Sequence, residues 1–420
     1  MMNDYFARQR LLLLPEVGRM IPNLKILFAG AGAVGNEAAK DLVLQGFRYV
    51  TLVDFDFVED SNLSRTVLFR KEDIGKSKAL AAAARLLEMA LADDPHIVGL
   101  HGNIMTDFGK GLFLEHDIVI SCVDTKECRA FINDWCVRTN TPFFELGAEG
   151  FNVNIAFYAP ADGYRQVSDG KVIDKLPSSD GLFPKPLHPF TVCLREEIGQ
   201  GDFDGQRNSC FGFKVKDKAL AKIPTIQSSS AMAASLLSVE LIKYLSGMDT
   251  IRNKVLFYYG LRHEPLCCSY TPSKDCTIHQ EHIPICTLEV TPEDTMGDIL
   301  SKIQRQWGGE PLMQVPPFVF SGYCAGCGKE IQVNKRVSEI FDDERWCDEC
   351  RSRYEDFAQH QDYACQWDRT PAEFTMFTEQ RFLQLRPQDI GIPQDDIMKV
   401  SIAKDDHIEQ LFVRLKPALG

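Results

Sequence analysis

The stretch "FAGAGAVGNEAAKDLVLQGFRYVTLVDFD", residues 28 to 56, constrains this chain more than any other. An apolar run reaches three glycines at Gly30, Gly32 and Gly35, a helical pattern follows, and a second apolar run ends in Asp54 and Asp56. The first glycine permits a tight turn, the second lets backbone approach an anion, and the third lets helix and strand pack closely. The helix start then directs free N–H groups at that anion. Asp54, about 20 residues further on, stands where a carboxylate takes a ribose hydroxyl. The reading is a nucleotide-binding βαβ unit, with the kind of nucleotide still open.

The rest of the first half repeats this rhythm. "LKILFAG", "YVTLVDF", "HDIVISCVD" and "TPFFELG" read as strands, with helices near 35–46, 76–91 and 126–138. Alternation of this kind predicts a Rossmann-like, doubly wound α/β fold with a mainly parallel sheet. Residues 148–224 become rich in Gly, Pro and Asp and read as a crossover with short strands. A helix at 225–246 and the strand "NKVLFYYGL" close a first domain, 1–280. A second, 281–420, opens with "PICTLEVTPEDTMGDILSKIQRQWGG". Its Met296, Ile299, Leu300 and Ile303 recur at helical spacing, and "HIEQLFVRLKP" is the candidate closing strand of a small α+β unit.

A formal net charge of −13 and a pI near 5.3 argue against nucleic acid as a main partner. The first twenty residues do not read as a signal peptide, and no apolar run is long enough for a membrane span. The expectation is a cytoplasmic protein without a membrane role. Its fourteen cysteines then read as reduced thiols, metal ligands or a nucleophile.

The segment after Asp56 separates ATP from NAD. "FVEDSNLSRTVLFRKEDIGKSKA" supplies Asn62, Arg65 and Lys78 just beyond the ribose-binding strand end. A diphosphate needs no such set, whereas a triphosphate being cleaved does. Asp124, past the strand in "SCVDTKECRAFINDWC", is a carboxylate placed to hold Mg²⁺.

These motifs, in this order over about residues 1–265, resemble the adenylating domain of the ThiF/MoeB and ubiquitin-activating-enzyme superfamily. The resemblance implies ATP- and Mg²⁺-dependent adenylation of the C-terminal glycine of a ubiquitin-like or sulfur-carrier protein. It assigns ribose to Asp54 with Asp56 beside it, phosphates to Arg65 and Lys78, and Mg²⁺ to Asp124. "YFARQ" resembles the family's N-terminal segment, so Arg8 would act as an arginine finger in the partner subunit of a homodimer. Ala33 and Thr66 depart from the family's usual glycine and glutamine.

An acyl-adenylate can pass to an enzyme thiol. "QRNSCFGFK" resembles a family segment with a Ser-Cys, and Arg207 favours a thiolate at Cys210, the first candidate for a thioester. Cys193 is second, in "HPFTVCLREE", where the family places a zinc half-site but this chain has Phe190 as the first residue of the pair. Cys193, Cys210, Cys276 and His279 equally suit a rearranged metal site, and Cys122, Cys128 and Cys136 read as core residues.

The strongest metal signal is "YCAGCGKEIQ...RWCDECRSR", with Cys324, Cys327, Cys347 and Cys350 as two CxxC pairs 19 residues apart within 322–353. Four thiolates at this spacing close a structural Zn²⁺ site and leave no open position for catalysis. The flanking "CTLEVTPEDTMGDILSKIQ" resembles the first crossover of ubiquitin's β-grasp fold, which in ubiquitin-activating enzymes recruits a conjugating enzyme. The tail "KPALG" does not read as a conjugated substrate. The preferred expectation is an activating enzyme for a ubiquitin-like protein. Its rivals are a sulfur-carrier adenylyltransferase, an NAD-dependent oxidoreductase and a non-catalytic adaptor.

Overall fold

A computed structural model describes residues 5–160, 193–194, 224–270, 276, 278, 283–324, 326–340, 347–351 and 367–418. Phe190, Arg207, Cys210 and His279 lie outside the described residues, so the nucleophile expected at Cys210 has no structural account. The chain divides into two compact units, one drawn from residues before 283 and the other beginning at Ile283 and taking in Phe108–Gly111.

The first unit begins with short helices α1 (Ala7–Arg10) and α2 (Pro15–Met20). β1 (Lys25–Ala29), α3 (Ala33–Leu44), β2 (Tyr49–Asp54), α4 (Lys78–Met89), β3 (His96–His101) and α5 (Gly111–Glu115) succeed them. β4 (Ile118–Ser121), α6 (Lys126–Arg138), β5 (Phe143–Glu149) and β6 (Asn152–Tyr158) come next. α7 (Gln227–Leu245), β7 (Lys254–Tyr259) and β8 (Glu264–Ser269) complete it.

Its eight-stranded sheet has the order β3-β2-β1-β4-β5-β6-β7-β8. The pairs from β3 through β5 are parallel, with Ile26 level with Val50 on one side and Ile118 on the other. The pairs from β5 through β8 are antiparallel. β1 and β4 lie at the centre of the core: Ile26, Leu27, Phe28 and Ala29 are all 0% exposed, as are Ile118, Val119 and Ile120, as continuous apolar runs covered on both faces must be. α3 packs against α7, and Leu42, Val43, Leu237 and Leu241 join Phe28 and Phe144 in one core. Chain order reverses between β1 and β4, which opens a crevice at the strands' C-terminal ends.

The second unit contains β9 (Ile285–Val290), α8 (Met296–Trp307), β10 (Glu310–Gln314), β11 (Phe318–Tyr323), β12 (Glu330–Arg336), β13 (Trp367–Arg369), β14 (Glu373–Thr375), β15 (Ile397–Ala403) and β16 (Ile408–Pro417). One sheet has the order β14-β10-β15-β16-β9. The last strand runs parallel to the first, with Phe412 level with Ile285. α8 starts at a reciprocal cap, in which the Thr295 hydroxyl accepts from the Asp298 amide and the Asp298 carboxylate accepts from the Thr295 amide. It buries Met296, Ile299, Leu300 and Ile303 against Val400, Leu411 and Val413, and ends where Gly308 adopts a φ of 73°. β11, β12 and β13 form a separate small sheet that carries the cysteine motif.

Candidate active site and cysteine centre

The turn from β1 into α3 is set by backbone contact. Gly30 has a φ of 94°, and a Cβ there would lie 2.8 Å from the Cys122 carbonyl oxygen. At Gly35 a Cβ would lie 2.1 Å from the Gly30 carbonyl oxygen, so these two positions are closed to any side chain. Gly32 differs: a Cβ would meet nothing within 4 Å. The bare backbone there faces space that a guest can fill, at the start of a twelve-residue helix.

Asp54 binds this turn to the next one. Its Oδ2 accepts from the Ala31 amide at 2.7 Å and its Oδ1 from the Asp56 amide at 2.8 Å. Each oxygen retains a lone pair for a sugar hydroxyl. Burial lifts the Asp54 carboxyl above its ordinary range, against the opposing pull of Lys78 and the two amides. Lys78 is the first residue of α4, its Nζ is 2.7 Å from the Asp56 carboxylate, and Ser77 caps the helix before it. Arg65 Nη1 donates to the Ser61 carbonyl at 3.2 Å. Asn62 is buried, and its Oδ1 accepts from the Glu59 amide at 2.9 Å. Thr66, standing where the family usually has glutamine, is buried and donates back to the Asn62 carbonyl.

Asp124 is exposed just beyond β4, the strand next to β1. Mg²⁺ commonly takes one or two carboxylates and completes its shell from water and nucleotide phosphates, so one carboxylate at a strand's C-terminal end fits it. The topology thus gathers the glycine turn, Asp54 and Asp124 at the ends of adjacent parallel strands. Arg8 is placed elsewhere. It is exposed on α1, whose Gln9 donates to the carbonyl of Gln45 at the far end of α3, roughly 18 Å of helix from the glycine turn. Within one chain Arg8 therefore stands at the end of α3 away from the glycine turn.

Asn36 was not singled out by the sequence. It is 0% exposed, donates to the Ala31 carbonyl at 2.7 Å and accepts from the Leu68 amide at 2.9 Å, so it clamps the glycine turn to the segment after Arg65. Its position directly after the third glycine was the available signal. Cys193 is fully buried, 3.8 Å in Sγ separation from Cys276, with Asn133 Nδ2 donating to it at 3.6 Å. Those surroundings suit a packed or paired thiol better than an open nucleophile. Cys128 and Cys136 are buried on α6, and burial pushes the Cys122 thiol up.

In the small sheet, the sulfur atoms of Cys324, Cys327, Cys347 and Cys350 lie within 4.8 Å of one another, three of the residues buried and Cys327 exposed. Gly328, at φ 72°, turns the chain after the first pair. The amides of Gly326 and Cys347 donate to Cys324 Sγ at 3.4 and 3.3 Å. Burial pushes the Cys324 thiol up, but these amides and that of Cys327 bring it down to about 6. Four converging sulfurs with N–H donors fit a tetrahedral Zn²⁺.

A glycine turn bonded to Asp54 at a topological switch point has the form of a nucleotide-binding α/β protein. Residues 6–278 match the ThiF family, and the chain belongs to it. SUMO-activating enzyme subunit 2 of Dictyostelium discoideum is 36% identical over 132 residues, 31% of this chain and 20% of that protein. The NEDD8-activating enzyme E1 catalytic subunit of Caenorhabditis elegans is 33% identical over 159 residues, 35% of this chain and 36% of that one. Adenylyltransferase and sulfurtransferase MOCS3 of Danio rerio is 30% identical over 239 residues, 51% of each. The chain therefore spans well under two thirds of each of these proteins. The crystal structure of Escherichia coli MccB with ATP has the same fold at a TM-score of 0.50 and 20% identity, covering 67% of this chain and 75% of that one.

Proposed function

We propose that this chain uses ATP to adenylate the C-terminal glycine carboxylate of a ubiquitin-like protein and then passes the acyl group on through a thioester at Cys210. The observation that carries the reading is the Gly30–Asp54–Lys78 arrangement in a chain whose relatives are named as activating enzymes and adenylyltransferases. In this reading a carboxylate oxygen attacks the α-phosphorus, the bond to the bridging oxygen breaks, and pyrophosphate leaves. Asp54 holds the ribose. Arg65, Lys78 and the partner subunit of a homodimer, through its copy of Arg8, offset the growing charge on the leaving group. Asp124 would hold Mg²⁺, which supplies further neutralisation when bound. Cys324, Cys327, Cys347 and Cys350 would hold structural Zn²⁺.

The second unit serves, in this proposal, as a β-grasp-like dock for a conjugating enzyme. Its first and last strands lie side by side and parallel, with α8 crossing after the first, which supports that reading. A sulfur-carrier adenylyltransferase is the second reading, favoured by the MOCS3 match over half of the chain. We place the protein in the cytoplasm, and among the described residues no helix is long and apolar enough to cross a membrane.

The test is ATP–pyrophosphate exchange by the full chain with a Gly-terminated ubiquitin-like protein, beside Asp124→Ala. Exchange that depends on the Gly tail and on Asp124 is expected. Binding of NAD with no exchange overturns the reading. A Cys210→Ala chain that still delivers its carrier at the full rate selects the sulfur-carrier alternative.

A further inference from the structure

The turn between β4 and α6, residues 122–125, carries Asp124, and two of the hydroxyls at its ends make no hold of their own. The Ser121 and Thr125 hydroxyls are buried without a hydrogen-bond partner among the described residues. Thr125 stands at the N-cap of α6 yet makes no side-chain cap. A side-chain hold reaches the turn from one turn further along α6. Arg129 Nε donates to the carbonyl of Val123, the residue before Asp124, at 3.0 Å. Its Nη1 lies 2.8 Å from Oε1 of Glu145 on β5, an ion pair rather than a well-aligned hydrogen bond.

Glu145 is 1% exposed, and a charge so deep is retained only with partners. Its other oxygen, Oε2, accepts from Asn154 Nδ2 on β6 at 3.2 Å. Asn154 lies level with Gly147, where a Cβ would meet Asn154 Oδ1 at 2.2 Å. Gly147 therefore leaves the room in which Asn154 leans across β5. Two strands and a glycine are committed to seating one guanidinium beneath the turn.

We propose that Arg129, seated by Glu145, is a positioning residue that fixes the Val123–Asp124 peptide and so aims the Asp124 carboxylate into the nucleotide crevice. The inference rests on the adenylation reading above. Outer partners of this sort change metal affinity by about tenfold to a hundredfold when removed.

The test uses the full chain as Arg129→Ala, Arg129→Lys and Glu145→Gln, alone and with Asp124→Ala. Four quantities are measured: the Mg²⁺ concentration giving half-maximal pyrophosphate exchange, the split between kcat and KM for the carrier protein, ADP affinity without metal, and amide exchange of residues 122–125. Arg129→Ala is expected to raise the Mg²⁺ requirement by about tenfold or more and to lower kcat, leaving KM for the carrier and metal-free ADP affinity within about twofold. The amides of 122–125 exchange faster. Arg129→Lys, one donor group in place of a fork, recovers part of the effect. In the Asp124→Ala background the same change adds nothing further.

An unchanged Mg²⁺ requirement overturns the proposal, as does an equal loss of ADP affinity with and without metal, or full additivity with Asp124→Ala. If Arg129→Ala fails to fold, Glu145→Gln, which keeps the side-chain volume, decides by the same readouts. If the unaltered chain binds NAD and shows no exchange, the adenylation reading has failed, and amide protection at 122–125 still judges the hold: unchanged protection in the variants refutes it.

Discussion

The glycine turn at 30–35 and the cysteine cluster at 324–350 are both tight backbone devices shaped for a charged guest, yet they draw their form from opposite sources. In the turn, Gly30 and Gly35 are demanded by carbonyls already in place, and the surrounding core includes Phe28, Leu42 and Phe144. The site exists before any guest arrives. Around the cluster, buried Cys324, Cys347 and Cys350 have partly buried Ile331 packed against them, whereas Phe318 and Phe320 of β11 pack against the larger core of the second unit. There the zinc proposed above is expected to complete the fold of the cysteine turns.

The sharpest way to break that contrast is to deny the cysteine cluster the zinc proposed for it. Zinc bound at such a site contributes about 10 kcal/mol or more to folding. Cys347→Ser, or a strong chelator, is expected to abolish zinc content and amide protection over 318–336, while ADP still binds without metal. A zinc-free chain whose β11–β12 hairpin stays protected would end the claim that the guest completes the fold.

Within the turn, the glycines should separate by their neighbours. Gly35→Ala drives a methyl into the Gly30 carbonyl, a backbone atom that cannot step aside. Its expected cost is about 3 kcal/mol in denaturant unfolding. Gly32→Ala meets no atom, so stability should hold within about 0.5 kcal/mol while ADP affinity falls about tenfold. Equal stability losses at the two positions would show that the space beside Gly32 is not the guest's.

Lys78→Met tests the electrostatic half of the same site. A charged hydrogen bond is worth about 2 kcal/mol, so ATP affinity is expected to fall about thirtyfold in titration calorimetry, with little change in melting temperature. The Asp54 carboxyl, relieved of the Lys78 pull, should titrate still higher. ATP binding at the original strength would remove Lys78 from the phosphate site.

These positions also mark what could be read from sequence. Gly30, Gly35, Asp54 and the apolar positions of α8 are local demands, visible because turn geometry and helical period leave a pattern within a few residues. The closing strand 408–417 was legible for the same reason, whereas its parallel pairing with 285–290 is shown only by the fold. β3 went unread because His96, Gly99 and His101 interrupt its apolar pattern, and Gly99 is there for α4, whose Ala79 carbonyl would lie 2.4 Å from a Cβ. Asn36 and Arg129 went unread because their partners, Leu68 and Glu145, are distant in sequence and only the fold brings them close. Arg8 was read only through the resemblance, and within this chain its helix lies against the end of α3 away from the glycine turn.

Acid should distinguish the two units, with the smallest effects of this set. His116 is half-buried between the Leu112 carbonyl, 2.8 Å from Nδ1, and the Thr51 hydroxyl, 2.9 Å from Nε2. Burial holds its pKa below the ordinary 6.5, so the unfolded chain takes up a proton that the folded unit resists. Stability of the first unit should fall as pH drops through 6.5 and keep falling until the folded imidazole is protonated too. Asp298, at the cap of α8, has the reverse logic. The Thr295 hydroxyl and amide hold its carboxyl below 3.8, so its contribution is present above that value and is lost as pH falls through the lowered one. Native-state hydrogen exchange, corrected for intrinsic rates, should weaken β2 first between pH 6.5 and 5 and α8 only below about pH 4. His116→Gln should flatten the first slope and leave the second. A slope in β2 that survives His116→Gln would move the acid sensitivity to another group and leave the two units indistinguishable on this ground.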